Sequence, residues 1–172
     1  MPDIFKDALI ALIPSLRGFA ATLSGSRAEA DDLVQETLFR ALRYRDSFRE
    51  GSDMKSWLHT ILRNCFFRSR RHDRFLVEDV EGQAAARQSI GPSQEWRVRT
   101  HEILDALDRL PPDTREALLL VSTRGFSYEE AAEVSACSVG TLKSRVNRAR
   151  ERLAALAGDA VFDAEARPHP LS

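Results

Sequence analysis

Apolar residues recur at helical spacing over most of the chain. Phe5, Leu9, Leu12, Leu16, Phe19 and Leu23 are separated alternately by four and three residues, the stripe of a helix that faces a core. Pro14 falls inside this stripe and predicts a kink or a break into two pieces. Ser24-Gly25-Ser26 reads as a turn, and Ser26 with Glu29 forms a capping box for a second helix. That helix turns Ala30, Leu33 or Val34, Thr37 or Leu38, and Ala41 inward, and it presents Asp32, Gln35, Glu36, Phe39 and Arg40 on its opposite face. Tyr44 to Ser52 reads as a loop, and Gly51-Ser52-Asp53 opens a third helix. Its inward residues are Met54, Trp57, Leu58, Ile61, Leu62 and Cys65. Three amphipathic helices joined by short loops predict an antiparallel bundle over residues 1–76.

The period is lost over residues 77–94, VEDVEGQAAARQSIGPSQ, which is acidic at first and then small and polar. A stretch of this length and composition predicts a flexible linker. A second domain is expected over 95–157. One helix carries Ile103, Leu104, Leu107 and Leu110 and stops at Pro111-Pro112. Asp113 opens another, with Leu118, Leu119 and Val121 inward and Gly125 in a C-cap position. Ser127 and Glu130 form a capping box for the short helix YEEAAEV. A tight turn at Ser135–Cys137 leads to Ser138, the cap of a final helix that keeps Val139, Leu142, Val146, Ala149, Leu153 and Leu156 on one stripe. A short helix, a tight turn and a basic amphipathic helix make a helix-turn-helix. The tail, 158–172, contains Pro168 and Pro170 and is expected to be disordered. The fold class is therefore all-α, with two small helical domains, an N-terminal bundle and a C-terminal helix-turn-helix bundle.

Composition narrows the chemistry. The 172 residues are 43% hydrophobic and 30% charged, with a formal net charge of −1. Cys65 and Cys137 stand far apart, and His59, His72, His101 and His169 are scattered, so no metal site, cofactor or catalytic set is expected. No apolar run approaches the ~18 residues of a membrane span, and the start MPDIFKD lacks a secretory pattern. These features predict a cytoplasmic protein that is not an enzyme and acts on no membrane and no small-molecule substrate.

The near-zero charge conceals two basic blocks. Residues 63–74 carry Arg63, Arg68, Arg70, Arg71 and Arg74 against Asp73, and residues 137–157 carry Lys143, Arg145, Arg148, Arg150 and Arg152 against Glu151. Each block is +4, so the rest of the chain sums to −9. Fields of this kind act over about one Debye length, ~8–10 Å, so a neutral chain can present basic faces. The second block lies on the candidate recognition helix, where Arg and Lys can pair with guanine and Thr and Ser can reach phosphates. The first mixes arginines with Asn64, Phe66 and Phe67 beside Trp57 and the Tyr44–Phe48 loop, a composition suited to unpaired bases. Trp57 and Phe66 are better explained as core. Phe67 and the arginines have the stronger claim to nucleic acid. An outward Phe39 among the acids of the second helix suggests a protein-docking face, although a plain solvent-exposed face reads equally well.

The segments DDLVQETLFRAL and MKSWLHTILRN resemble the second conserved region of extracytoplasmic-function (ECF) RNA polymerase sigma factors. ALDRLPPDTREALLLVSTRGFSYEEAAEVSACSVGTLKSRVNRARERL resembles their fourth region. The wording of that fourth region is similar to the general-stress-response subgroup of alphaproteobacteria. The resemblance implies promoter-specific transcription initiation, with core RNA polymerase, promoter DNA and a small anti-sigma protein as partners. Carried over by position, it implies a polymerase-docking face at Asp32, Gln35, Glu36, Phe39 and Arg40. It implies recognition of the melted −10 strand by Tyr44, Ser47, Phe48, Arg63, Asn64, Phe67, Arg68, Arg70 and Arg71. The −35 duplex falls to Ser138, Thr141, Lys143, Ser144, Arg145 and Arg148. One departure stands out: the family usually has Gly in the turn where this chain has Ala136, at ~1 kcal/mol if the residue must be left-handed. Two rival readings are a sigma-mimic decoy that binds an anti-sigma protein and a stand-alone helix-turn-helix regulator. The decoy usually has a receiver domain and a degraded recognition helix. The regulator predicts tight duplex binding by the isolated chain.

Overall fold

The computed structural model describes residues 3–49, 51–76 and 94–157, with side chains described for 3–49, 51–72 and 101–156. The expected tail and the expected linker, apart from Gln94, lie outside these residues.

Helix α1 spans Ile4–Ser24 and begins at Asp3, whose carboxylate accepts from the Lys6 amide. The break expected at Pro14 does not occur, since a single helix contains it. The proline leaves the Ile10 carbonyl without its helical donor, but Ile10 is 60% exposed, so solvent can take that bond. Gly25 closes α1 in a left-handed conformation, φ 76°, with its amide donating to Ala21 O. Helix α2, Arg27–Arg43, is capped by Ser26, whose Oγ accepts from the Glu29 amide at 3.3 Å. The reciprocal half of the expected capping box is replaced, because the Ser26 amide donates to Ser24 Oγ and Glu29 lies 3.7 Å from Arg70. A 3-10 turn at Arg45–Ser47 leads to α3, Met54–Leu76, where Asp53 accepts from the Lys55 and Ser56 amides. The three helices pack on one another and bury Leu9, Leu16, Phe19, Leu23, Leu33, Val34, Leu58, Leu62 and Phe66.

In the second domain α4 spans Gln94–Asp108, α5 Pro112–Ser122, α6 Tyr128–Val134 and α7 Val139–Ala157. Pro112 rather than Asp113 takes the first helical position of α5, where its missing N–H has no helical partner to lose. Both halves of the Ser127–Glu130 capping box are formed at α6. Ala136 in the following turn has φ 50°, so the residue that stands where the family usually has Gly does take the left-handed state. Ser138 Oγ then accepts from the Thr141 amide at 3.1 Å and starts α7. Leu107, Leu110, Leu118, Leu119, Leu120, Val134, Leu142, Val146 and Leu153 form this core.

The two domains also pack against each other, α1 on α5 and α3 on α6. Arg115 of α5 is buried and reaches the end of α1, donating to Leu23 O at 2.8 Å while Asp108 Oδ1 lies 3.2 Å away. The carbonyls at the end of α1 carry its negative dipole end, which favours a cation there.

Candidate nucleic-acid interface

The acidic face of α2 is exposed as expected at Asp32, Gln35, Glu36 and Phe39, and Phe39 retains 59% of its accessible surface. Arg40 is half-buried and forms an ion pair with Glu36 one turn earlier. Asp32, Glu36 and Arg40 do not stand alone. They line a groove between α2 and α3 whose other wall holds Arg68, Ser69, Arg71 and His72. The acidic face of α2 thus runs directly into the first basic block. Leu42 and Tyr44, 48% and 52% exposed, extend the apolar part of this surface past Phe39.

The residues expected at the −10 element divide into four groups. Arg63, Asn64 and Phe67 form one cluster: the Arg63 guanidinium covers the Phe67 ring at 4.8 Å, and its Nη1 donates to Asn64 Oδ1 at 3.4 Å. Arg68 and Arg71 face the α2–α3 groove. Arg70 is drawn away, donating to Ser24 O, lying beside Glu29 and stacking over Phe66 at 5.1 Å. The described start of the Tyr44–Ser52 segment is tied down by specific contacts. Arg45 grips Asp3 in a two-pronged pair at 2.7 and 2.8 Å, and Ser47 Oγ donates to Tyr44 O. Phe48 is half-buried in a cluster with Trp57 at 5.1 Å and Phe5 at 5.9 Å. Its ring therefore anchors the segment, while Tyr44 and Ser47 remain exposed.

On α7 the outward row consists of Thr141, Lys143, Ser144 and Arg148. Lys143 lies over the Tyr128 ring at 5.6 Å, and Arg148 Nε donates to Ser144 O. Ser138 is committed to capping, with its hydroxyl 2.9 Å from that of Thr141. Arg145 points elsewhere than expected. Its side chain is 20% exposed and pairs with Asp113 of α5 at 3.2 Å, so it braces the helix against its domain. Asn147 is an exposed residue that the sequence reading passed over. It lies one turn after Ser144 and next to Arg148, and that spacing was the available signal; its amide suits adenine.

Two buried titratable groups sit behind these faces. His59 has no exposed surface and stands edge-on between Phe19 and Phe126, each 5.1 Å away. Its Nδ1 lies 2.8 Å from Lys55 O and its Nε2 has no partner, so burial holds its pKa down at about 4. Glu116, also fully buried, lies 2.8 Å from Arg63 Nε, off the N–H direction, and burial pushes its pKa up to about 7 against the pull of Arg63. Among the described residues no group of three His, Cys, Asp or Glu is placed to hold a metal, and no helix is long and apolar enough to cross a membrane.

Comparison with known proteins accounts for both domains. Residues 9–75 match the Sigma-70 region 2 family and residues 100–153 match Sigma-70, region 4. The ECF RNA polymerase sigma factor EcfG of Rhodopseudomonas palustris (strain TIE-1) is 52% identical over 156 residues, 91% of this chain and 86% of that protein. The RNA polymerase sigma factor CarQ of Myxococcus xanthus is 32% identical over 159 residues, 91% of each. The sigma factor RpoE of Bartonella quintana, solved with the anti-sigma factor NepR, superimposes with a TM-score of 0.78 at 44% identity, covering 88% of this chain and 95% of that one. With both regions in order on an all-α, two-domain fold and a relative this similar along nearly its whole length, the chain belongs to the ECF RNA polymerase sigma factors.

Proposed function

We propose that the two domains divide promoter selection between them. The first docks on core RNA polymerase through Asp32, Gln35, Glu36, Phe39 and Arg40 and holds the melted −10 strand with Arg63, Asn64, Phe67, Arg68 and Arg71. The second reads the −35 duplex with Thr141, Lys143, Ser144 and Arg148. The observation that carries this division is the placement of the two basic blocks. One continues the docking groove, and the other forms the outer row of a helix-turn-helix. The role requires no bond-making step by the chain itself.

The Bartonella quintana relative was solved with an anti-sigma factor. Together with the resemblance to the general-stress-response subgroup, this supports a small anti-sigma protein as the regulator of this chain. Reconstituted run-off transcription with core polymerase on a promoter library tests the assignment. Initiation from recovered −35 and −10 sequences is the expected result. Absence of initiation would favour the decoy reading. Asp32→Ala combined with Gln35→Ala should lower affinity for core polymerase at unchanged circular dichroism, and unchanged affinity would remove the docking assignment.

A further inference from the structure

We propose that Asp113 of α5 is a positioning residue for −35 recognition: it grips Arg145 and so fixes the roll of α7, and with it the place of the outward row on the duplex. The inference rests on the assignment of that row to the −35 element. Leu142, Val146, Ala149 and Leu153 bury one line of α7 against its domain. A single line of apolar contacts resists rolling about the helix axis least. Arg145 stands off that line, one position after Ser144 of the outward row and one before the buried Val146. A contact made there works against roll.

The grip is built at the start of α5. Pro111 and Pro112 stiffen the backbone that leads into the helix, with Pro111 at φ −53°. Asp113 lies in the first turn, where the positive end of the helix dipole favours a carboxylate. Its two oxygens have separate tasks. Oδ1 accepts from the Thr114 amide at 2.8 Å, and Oδ2 lies 3.2 Å from Arg145 Nη2. The first contact orients the carboxylate, and the second passes that orientation to α7. Arg145 Nη1 is buried without a hydrogen-bond partner, and among the described residues Asp113 is the one carboxylate within ion-pair distance of the guanidinium. Glu116, one turn further along α5, feels the Arg145 charge without such a contact and lies against Arg63 instead.

Helix geometry sets the size of the effect. Side-chain ends stand ~6 Å from the axis, so a roll of ~15° moves them ~1.5 Å. The donor–acceptor distances of a good hydrogen bond span only about 0.5 Å. Such a roll weakens the reading of base edges, which depends on aim, before it weakens attraction to phosphates, which does not.

Asp113→Asn keeps the oxygen that accepts from Thr114 and removes the charge. Circular dichroism checks its fold, and because the pair is partly exposed the melting temperature should fall by only a few degrees. Polymerase reconstituted with each variant transcribes a promoter library randomised at the −35 element. Sequencing the transcripts gives the yield ratio between the best −35 sequence and its single-base variants. In the unmodified chain a wrong base pair should cost about five- to 150-fold. Asp113→Asn should shrink that ratio by about two- to tenfold, the worth of one hydrogen bond. Asp113→Glu keeps the charge and should restore most of the preference. Adding Asp113→Asn to Arg145→Ala should shrink it no further, since the two residues act as one contact.

An unchanged ratio in Asp113→Asn would overturn the brace. So would a uniform rise in yield with the ratio kept, which loss of a negative charge beside DNA predicts by itself. Equal loss in Asp113→Glu, or further loss in the Arg145→Ala background, would overturn it too. These outcomes leave the −35 assignment standing as long as Lys143→Ala or Ser144→Ala alters the preference. If neither does, the −35 assignment falls and the brace falls with it.

Discussion

Replacing Glu116 with Gln should make stability rise with pH relative to the unmodified chain, by about 3 kcal/mol between pH ~4.5 and ~7.5. Burial raises the Glu116 carboxyl from 4.5 to about 7, with Arg63, Arg145 and Ser135 opposing. The native state therefore holds a proton that the unfolded chain releases. The stabilisation from that proton is complete below pH 4.5 and is lost as pH rises through about 7. The interval between the two values, at ~1.4 kcal/mol per pH unit, gives about 3 kcal/mol. Gln does not titrate, so the difference between variant and parent should trace this loss.

His59 has the opposite sign. Burial, with the charges of Arg124 and Lys55, holds it down from 6.5 to about 4, against the Lys55 carbonyl. Its stabilisation is present above pH 6.5 and is lost as pH falls through about 4. The two groups offset each other over the shared interval. The parent should show a shallow profile, Glu116→Gln should become acid-labile, and His59→Leu should gain stability on acidification relative to its parent. Urea unfolding at four pH values across this interval measures all three chains. A Glu116→Gln minus parent difference that stays flat within about 0.5 kcal/mol would refute the reasoning, since it would mean that Glu116 is ionised throughout.

Three further outcomes are expected. Ala136→Gly should stabilise the chain by about 0.5–1 kcal/mol, seen as a melting temperature about 1–4 °C higher, because the left-handed strain at φ 50° is removed. Arg148→Ala should weaken −35 duplex binding and reduce the salt slope by about one without changing thermal stability. Arg145→Ala should lower both −35 affinity and melting temperature, because it removes the pair with Asp113 that braces α7; an unchanged melting temperature would return Arg145 to the DNA-facing row.

The helices were legible in the sequence because each domain buries a continuous apolar stripe, and a stripe such as Phe5 to Leu23 states both the period and the inward face. The left-handed position at Ala136 was legible only through the family resemblance, which implies Gly at that place in the turn. Phe48 was harder to place. A loop aromatic beside a basic block has the same signature whether it stacks on bases or on Phe5 and Trp57, and only the fold puts those rings 5.9 and 5.1 Å away. The interface between domains was illegible for another reason. Amphipathic periodicity reports that a face is buried and not what covers it. The trace that existed was polar residues in inward registers, Glu116 three residues before Leu119 and His59 three before Leu62. Such residues read as defects of a stripe until a second domain is placed against them.

That interface also changes the meaning of a net charge of −1. The two basic blocks are not offset only by distant acids. Arg70 is paired with Glu29 and Arg145 with Asp113, and Arg63 lies against Glu116, which becomes its ionised partner as pH rises through about 7; all three acids lie outside the blocks. A close pair presents a dipole rather than a charge, so these arginines add little to the field at phosphate distance. Among the described residues of the two blocks, Arg68, Arg71, Lys143, Arg148, Arg150 and Arg152 form no such pair, and the first four lie on the groove or the outward row assigned to DNA. Four phosphate contacts give a salt slope of roughly −3 to −4, well short of that of a repressor that holds DNA unaided.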